Sequence, residues 1–339
     1  MVVVAILMLL LVLAVLGVSF YAYLKTFAST KQMHNPDPVS FIRDVKGTPE
    51  YEDHKKRMDM ASAVSYERVY IHAADGVRLS ARYYRGKAGA PIVIFFHGYR
   101  SNAIHDGCGL HHIARSRDYH ILLCDQRAHG FSRGRCLTFG VKERLDAKSW
   151  AEYAAKRFPG APIFLSGISM GAATVLMAAS LPLPGEVAGV LADCPYSSPK
   201  GIIMKVCAEM GLPPKLIYPF IRFGAIVYGG FDPNESDAIA SVRLKTPPIL
   251  MVHGLADTFV PAEMSKAIDA AASGDHKLIL VDGADHGKSF TVAPELYVKT
   301  MTDFFDECLK KHAAKPAVKP GGLYGNVPFS LKFDLFNKK

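Results

Sequence analysis

No charged residue occurs in this chain before Lys25, and the stretch from Val2 to about Leu24 is almost wholly apolar. That length and uniformity argue against a buried core helix, whereas a helix of this size can cross a bilayer. A cleaved leader is the competing reading. Against it, no Lys or Arg precedes the run, and the run is longer than a usual leader core. Lys25 and Lys31 follow it, so the positive-inside rule predicts a single-pass membrane protein with the remainder on the cytoplasmic side. Charge is sparse elsewhere too. Charged residues make up 21% of the chain and hydrophobic residues 50%, which suits a globular domain with a full core. Tryptophan occurs once, at Trp150. The six cysteines form no short disulfide framework. Cys124 falls in a core strand and Cys194 just after another, so they read as reduced thiols. His105, Cys108, His111 and His112 match no familiar zinc spacing. No metal, nucleotide or flavin is implied. The net charge of +9 comes without any nucleic-acid motif, and its lysines thicken mainly in the C-terminal tail. An anionic membrane surface suits it better than nucleic acid.

The most informative stretch that is present runs from Pro162 to Ala179. A short apolar run reads as a buried strand, then Gly167-Ile168-Ser169-Met170-Gly171 turns it abruptly into a buried helix. A serine at so tight a strand-to-helix turn has strained backbone angles, and side chains two residues to either side would collide. The helix points its N-terminus at the serine, where backbone N–H groups can stabilise developing negative charge.

Such a serine needs an acid and a histidine. Around it the chain alternates strands and helices, which predicts an α/β domain with a mostly parallel sheet and helices on both faces. An Asp-Gly turn at Asp75-Gly76 joins two alternating strands into a hairpin. The continuous apolar run Pro91–Phe96 is of the parallel-sheet type and leads into His97-Gly98-Tyr99-Arg100. A strand ending in His-Gly upstream of the serine turn is where an oxyanion loop belongs. The N–H groups of Tyr99 and Met170 are its candidate donors, and His97 reads as structural. Asp125 and His129 look like a rival acid and base, but they precede the serine and read as a loop brace. Asp193 also ends a strand after the serine. Asp257 lies just past the strand Pro247–Val252, and His286 at a loop tip past the last strand. Serine, aspartate and histidine thus follow in that order at the carboxyl ends of strands, which line one crevice in an open α/β sheet. A helix from about Pro294 to Lys311 closes the domain. From Ser197 to about Asp237 the chain is rich in Pro, Gly, Met and aromatics and reads as a small helical cap. The domains predicted are therefore 1–24 as a transmembrane anchor and 25–64 as a polar linker with a solvated helix. Residues 65–312 are the α/β domain, with the cap at about 197–237, and 313–339 a basic tail.

With these motifs the chain resembles the α/β-hydrolase superfamily over roughly Ser65 to Lys311. It is most similar to the capped serine hydrolases that include feruloyl-type esterases, monoacylglycerol lipases and serine aminopeptidases, and to their membrane-anchored bacterial branch. The resemblance rests on His97-Gly98, Asp125-Gln126-Arg127-Ala128-His129-Gly130, Gly167–Gly171, His253-Gly254-Leu255-Ala256-Asp257 and Asp285-His286-Gly287. Ala128 departs from the pattern, since relatives often carry glycine there. The expectation is a serine esterase of the carboxylesterase or lipase type (EC 3.1.1). Its triad would be Ser169, Asp257 and His286, its oxyanion donors Tyr99 and Met170, and its substrate a small ester or acyl compound. Amide or thioester hydrolysis and acyl transfer use the same groups, and a catalytically silent, membrane-tethered binding protein is the alternative of a different class. Oligomeric state does not follow from the sequence.

Overall fold

A computed structural model describes residues 1–41 and 46–314. Eight strands form one sheet in the order β1-β2-β4-β3-β5-β6-β7-β8. They are β1 (Glu67–His72), β2 (Arg78–Tyr84), β3 (Ile92–Phe96), β4 (His120–Asp125), β5 (Ile163–Ile168), β6 (Val187–Asp193), β7 (Ile249–Gly254) and β8 (His276–Val281). β2 pairs antiparallel with both β1 and β4, and every other pairing is parallel. The helices are α1 (Val2–Thr26), α2 (Pro49–Ala63), α3 (Ala103–Ser116), α4 (Glu143–Arg157), α5 (Met170–Ala178), α6 (Pro199–Glu209), α7 (Pro214–Gly224), α8 (Ala238–Val242), α9 (Ala262–Ala271), α10 (Ser289–Val292) and α11 (Pro294–Ala313).

The period-2 alternation of strand side chains decides which helix covers which face. Ile92, Ile94 and Phe96 of β3 pack with Leu165, Ala147, Trp150, Val175 and Leu176, under α4 and α5. Val93 and Phe95 point the other way, to Ile104, Ile113, Phe304 and Phe305, under α3 and α11. Both faces are therefore dry, which is why β3 can be apolar at every position. The chain leaves β3 toward β4 on one side and returns to β5 on the other. The crevice this reversal opens, at the carboxyl ends of β3 and β5, is where such sheets place a site.

α6, α7 and a π-helical turn at Ala225–Gly229 lie between β6 and α8, where the cap is expected. A third apolar cluster joins Ile202, Ile203 and Ile221 of these helices to Tyr99, Phe139, Met170 and Tyr196 below them.

The described residues of the predicted linker, 25–41 and 46–64, are structured and largely packed. Thr48 caps α2 by accepting from the Tyr51 N–H at 3.3 Å, and Met58 and Ala61 are buried against α3. Phe27 and Met33 are fully buried, and Ala28 forms a β-bridge with Cys136. The polarity of the segment hid these contacts, because only every third or fourth residue of α2 faces the core. α1 is exposed along most of its length, but Ser19 and Tyr23 are buried against α7. Nearly all of the basic tail lies outside the described residues.

Candidate active site

β5 ends at Ile168 and α5 begins at Met170, so Ser169 alone makes the turn, at φ 53° and ψ −114°. A non-glycine residue there is strained, and such strain persists only where the surroundings over-determine it. The surroundings here are close. A Cβ on Gly171 would lie 1.9 Å from the Phe96 carbonyl oxygen, and one on Gly167 would lie 2.3 Å from the Gly171 carbonyl carbon. Glycine at both positions lets the start of α5 press against the end of β3. The Ser169 N–H donates to the Asp193 carbonyl at 2.8 Å, which fixes the turn.

β7 and β8 deliver the other two groups. His286 Nε2 lies 3.0 Å from Ser169 Oγ, and its Nδ1 lies 2.7 Å from Asp257 Oδ2. A carboxylate can only accept, so Nδ1 carries the proton and Nε2 presents a lone pair to the serine. Asp257 Oδ1 accepts from the N–H groups of Phe259 at 2.9 Å and Val260 at 2.7 Å. His253 Nε2 lies 3.2 Å from Oδ2. Burial alone would raise this carboxyl's pKa. The hydrogen bonds of His253 and His286 and the backbone N–H of Val260 outweigh burial and hold it well below the usual range. Asp285 ties the two loops together, accepting from Thr258 N at 3.3 Å and His286 N at 2.8 Å. The Phe259 ring stands edge-on to His286, with centroids 5.1 Å apart.

The loop after β3 lies directly against the serine, since a Cβ on Gly98 would come 3.5 Å from Ser169 Cβ. The Gly98 N–H donates to Asp106 Oδ2 at 2.6 Å, and Ser101 Oγ donates to Asp106 Oδ1 at 2.7 Å. Burial opposes ionisation of Asp106, but His105 and the Gly98 N–H prevail and hold its pKa well below the usual range. His97 is fully buried. Its Nε2 accepts from Gln126 N at 3.1 Å, and its Nδ1 therefore donates to the Gly98 carbonyl at 2.9 Å. Desolvation lowers its pKa. The Met170 N–H opens α5, where helix geometry offers no internal acceptor. No acceptor for the Tyr99 N–H occurs among the described residues.

The rival groups lie elsewhere. Asp125 accepts from Phe131 N at 3.1 Å, and His129 Nδ1 bonds the Arg127 carbonyl at 2.9 Å. Arg127 grips Asp146 with two bonds, at 2.7 and 2.6 Å. This network braces the loop. Ala128 within it stands at φ 63°, a left-handed conformation that suits the glycine expected there. The Asp193 carboxyl accepts from Tyr297 Oη at 2.9 Å rather than from His286, and burial raises its pKa to about 6. Among the histidines and cysteine flagged on α3, His111 packs edge-on to Tyr84 and Cys108 is buried. The one group of described residues that could share an ion is Cys194, Asp257 and His286, whose ligand atoms lie within 4.8 Å of one another. Two of the three are already bonded to each other. Sequence reasoning passed over Asp106, His253 and the nearness of Cys194. Asp106 carries a signal, an acid in the first turn of the helix after the loop, while His253 carries none beyond its place in the His253–Asp257 motif.

Residues 88–216 match the model of a family described as serine aminopeptidase, S33. The uncharacterised protein YqkD of Bacillus subtilis is 24% identical over 216 residues, covering 63% of this chain and 70% of its own. The 2-(acetamidomethylene)succinate hydrolase of Mesorhizobium japonicum is 27% identical over 297 residues, covering 74% of this chain and 100% of its own. Among solved structures, the Pyrococcus furiosus esterase Pf2001 superposes with a TM-score of 0.58 at 25% identity, over 74% of this chain and 93% of its own. The chain has the α/β-hydrolase fold, and the family match together with these likenesses supports the α/β-hydrolase superfamily. These comparisons support hydrolase activity on a small molecule.

Proposed function

We propose that the protein is a membrane-anchored serine esterase. The observation that carries this reading is the relay from Asp257 through His286 to Ser169, with both links at hydrogen-bond distance. His286 Nε2 takes the Ser169 proton as Oγ attacks the ester carbonyl, and the N–H groups of Tyr99 and Met170 receive the oxyanion. Asp257 holds the histidine tautomer and stabilises the imidazolium. His286 then protonates the leaving alcohol, and a water molecule repeats the cycle on the acyl-enzyme. Each oxyanion donor supplies about 3–4 kcal/mol in comparable sites.

An amide would follow the same route, and the aminopeptidase family model gives that reading a specific basis. The ester is favoured by its better leaving group and by the esterase likeness.

The apolar helix serves as a retained anchor in this proposal. Its largely exposed part, residues 2–18, is about 25 Å long at 1.5 Å per residue, against a hydrocarbon core of about 30 Å. Its last turns are built into the cap. A Cβ on Gly224 would lie 2.3 Å from the Ser19 carbonyl, and Tyr228 Oη bonds the Leu16 carbonyl at 3.1 Å. Removal of the helix as a leader would strip these contacts, and Lys25 and Lys31 favour a cytoplasmic catalytic domain. The test is hydrolysis of p-nitrophenyl esters, acetate to palmitate, by the detergent-solubilised full chain beside Ser169→Ala. Turnover lost in the variant is expected; equal turnover in both would sink the assignment. Amide cleavage with no ester cleavage would favour the peptidase reading.

A further inference from the structure

The end of α1 reaches past the cap to the oxyanion loop. Tyr99 Oη donates to the Thr26 carbonyl at 2.9 Å, and Arg100 Nη2 donates to the Lys25 carbonyl at 2.8 Å. These two carbonyls belong to the last turn of a 25-residue helix, where no residue of the same helix can bond them. That end carries partial negative charge, which a guanidinium complements. Arg100 itself stands at φ 51°, in the left-handed region that a non-glycine residue occupies only when held. The contact is fixed laterally as well. Phe27 is fully buried, edge-on to Phe139 at 5.6 Å, and Phe139 in turn lies 5.1 Å from the Tyr99 ring. Beyond it, Leu137 N bonds the Phe27 carbonyl at 3.0 Å and Ser29 N bonds the Arg135 carbonyl at 2.9 Å.

On its inner side the loop is held by the domain, through Asp106 and His97. On its outer side the described side-chain hydrogen bonds of Tyr99 and Arg100 are these two, to α1, beside the packing of the Tyr99 ring on Phe139. We infer that the last turn of α1 is a positioning element of the active site. Tyr99 and Arg100 fasten the oxyanion loop to the carbonyls of Thr26 and Lys25, so that the seating of the anchor helix sets how well the Tyr99 N–H meets the oxyanion. This rests on the serine-nucleophile reading above and adds a function to the apolar helix beyond tethering.

The experiment follows covalent labelling of Ser169 by a fluorophosphonate, whose phosphoryl oxygen makes the same demand on the loop as an ester and which needs no knowledge of the natural substrate. The full chain in detergent is compared with Tyr99→Phe, Arg100→Gln and Arg100→Lys, each at a series of probe concentrations. Tyr99→Phe removes only the hydroxyl and should lower the maximal labelling rate about five- to tenfold, the worth of one hydrogen bond at the reacting centre. The half-saturating concentration and the melting temperature should stay near those of the parent. Arg100→Gln should show a similar loss, and Arg100→Lys, which keeps a cation at the helix end, should recover most of it. Parent-like labelling rates in both Tyr99→Phe and Arg100→Gln would overturn the inference while leaving the nucleophile in place. So would losses that track melting temperature and are not recovered by lysine, since those mark a purely structural role. A parent protein that takes no label, or a label that persists in Ser169→Ala, would overturn the nucleophile reading and this inference with it.

Discussion

Asp257→Asn isolates the electrostatic part of the relay. The substitution keeps size and shape. One amide position, facing Phe259 and Val260, still receives two N–H donors, at 2.9 and 2.7 Å, and there the asparagine oxygen can serve. The other position faces His286 Nδ1 at 2.7 Å and His253 Nε2 at 3.2 Å. If the oxygen takes the backbone side, the NH₂ group confronts His286. The imidazole then accepts on Nδ1 and carries its proton on Nε2, pointed at Ser169, where it can take nothing from the serine. His253 is spared, because its Nε2 also bonds the Val260 carbonyl at 2.8 Å. The fold should therefore survive while the base is lost. In another triad hydrolase the same change costs about 10⁴ in kcat through the wrong tautomer. At about 1.4 kcal/mol per decade that is about 5–6 kcal/mol of barrier. The assay is kcat for the best p-nitrophenyl ester with the full chain in detergent, with circular dichroism to verify folding. A folded Asp257→Asn protein within tenfold of the parent would refute the assignment of Asp257 as the group that sets the tautomer.

Gly171→Ala would set a Cβ 1.9 Å from backbone oxygen, which cannot move aside as a side chain can. It should cost about 3 kcal/mol, read as a lowered urea midpoint, and a parent-like midpoint would show that the elbow is looser than described. Asp193 has a pKa raised from 3.8 to about 6 by burial. Its favourable contribution is therefore complete below about pH 4 and lost as pH rises through 6, beyond which the buried charge costs about 2–3 kcal/mol. Asp193→Asn should accordingly stabilise the protein much more at pH 8 than at pH 4, in urea titrations at the two values; an equal effect at both would contradict the sign. Asp106→Asn should lower kcat about tenfold with KM unchanged, because the carboxylate grips the Gly98 N–H at 2.6 Å and braces the loop. A matching rise in KM would instead place Asp106 in substrate binding.

The relay was legible in the sequence because each member lies at the end of an apolar strand, and strands announce themselves locally. Ile92–Phe96, Ile163–Leu165 and Ile249–Val252 can be read one by one. Once they form a parallel sheet, their carboxyl ends must converge. Even the elbow glycines could be explained beforehand, and the measured clearances at Gly167 and Gly171 give the reason in ångströms. Ala128 was visible as a departure, but its φ of 63° was not, because the strain depends on a loop held by Arg127 and Asp146.

What could not be read is of another kind. Met33, Met58 and Phe27 are among the largest fully buried side chains, yet they sit in a segment whose composition is that of a linker. Phe27 meets Phe139 and Phe231, and Met33 bonds through its carbonyl to Gly130 N. These partners lie from about 100 to 200 positions away, and a polar stretch with a few apolar residues gives no local period to announce them. Hydrophobic periodicity reports an element's own exposed and buried faces and is silent on which distant surface a sparse apolar residue will fill. The same limit hid the bonds from Tyr99 and Arg100 to the end of α1, which join residues some 75 positions apart. Sequence patterns thus recover the strand ends that bring Ser169, Asp257 and His286 together, while the bonds between α1 and the loop after β3 arise only in the packing. A substitution along Lys25–Phe27 should accordingly change catalysis while leaving every recognisable motif intact.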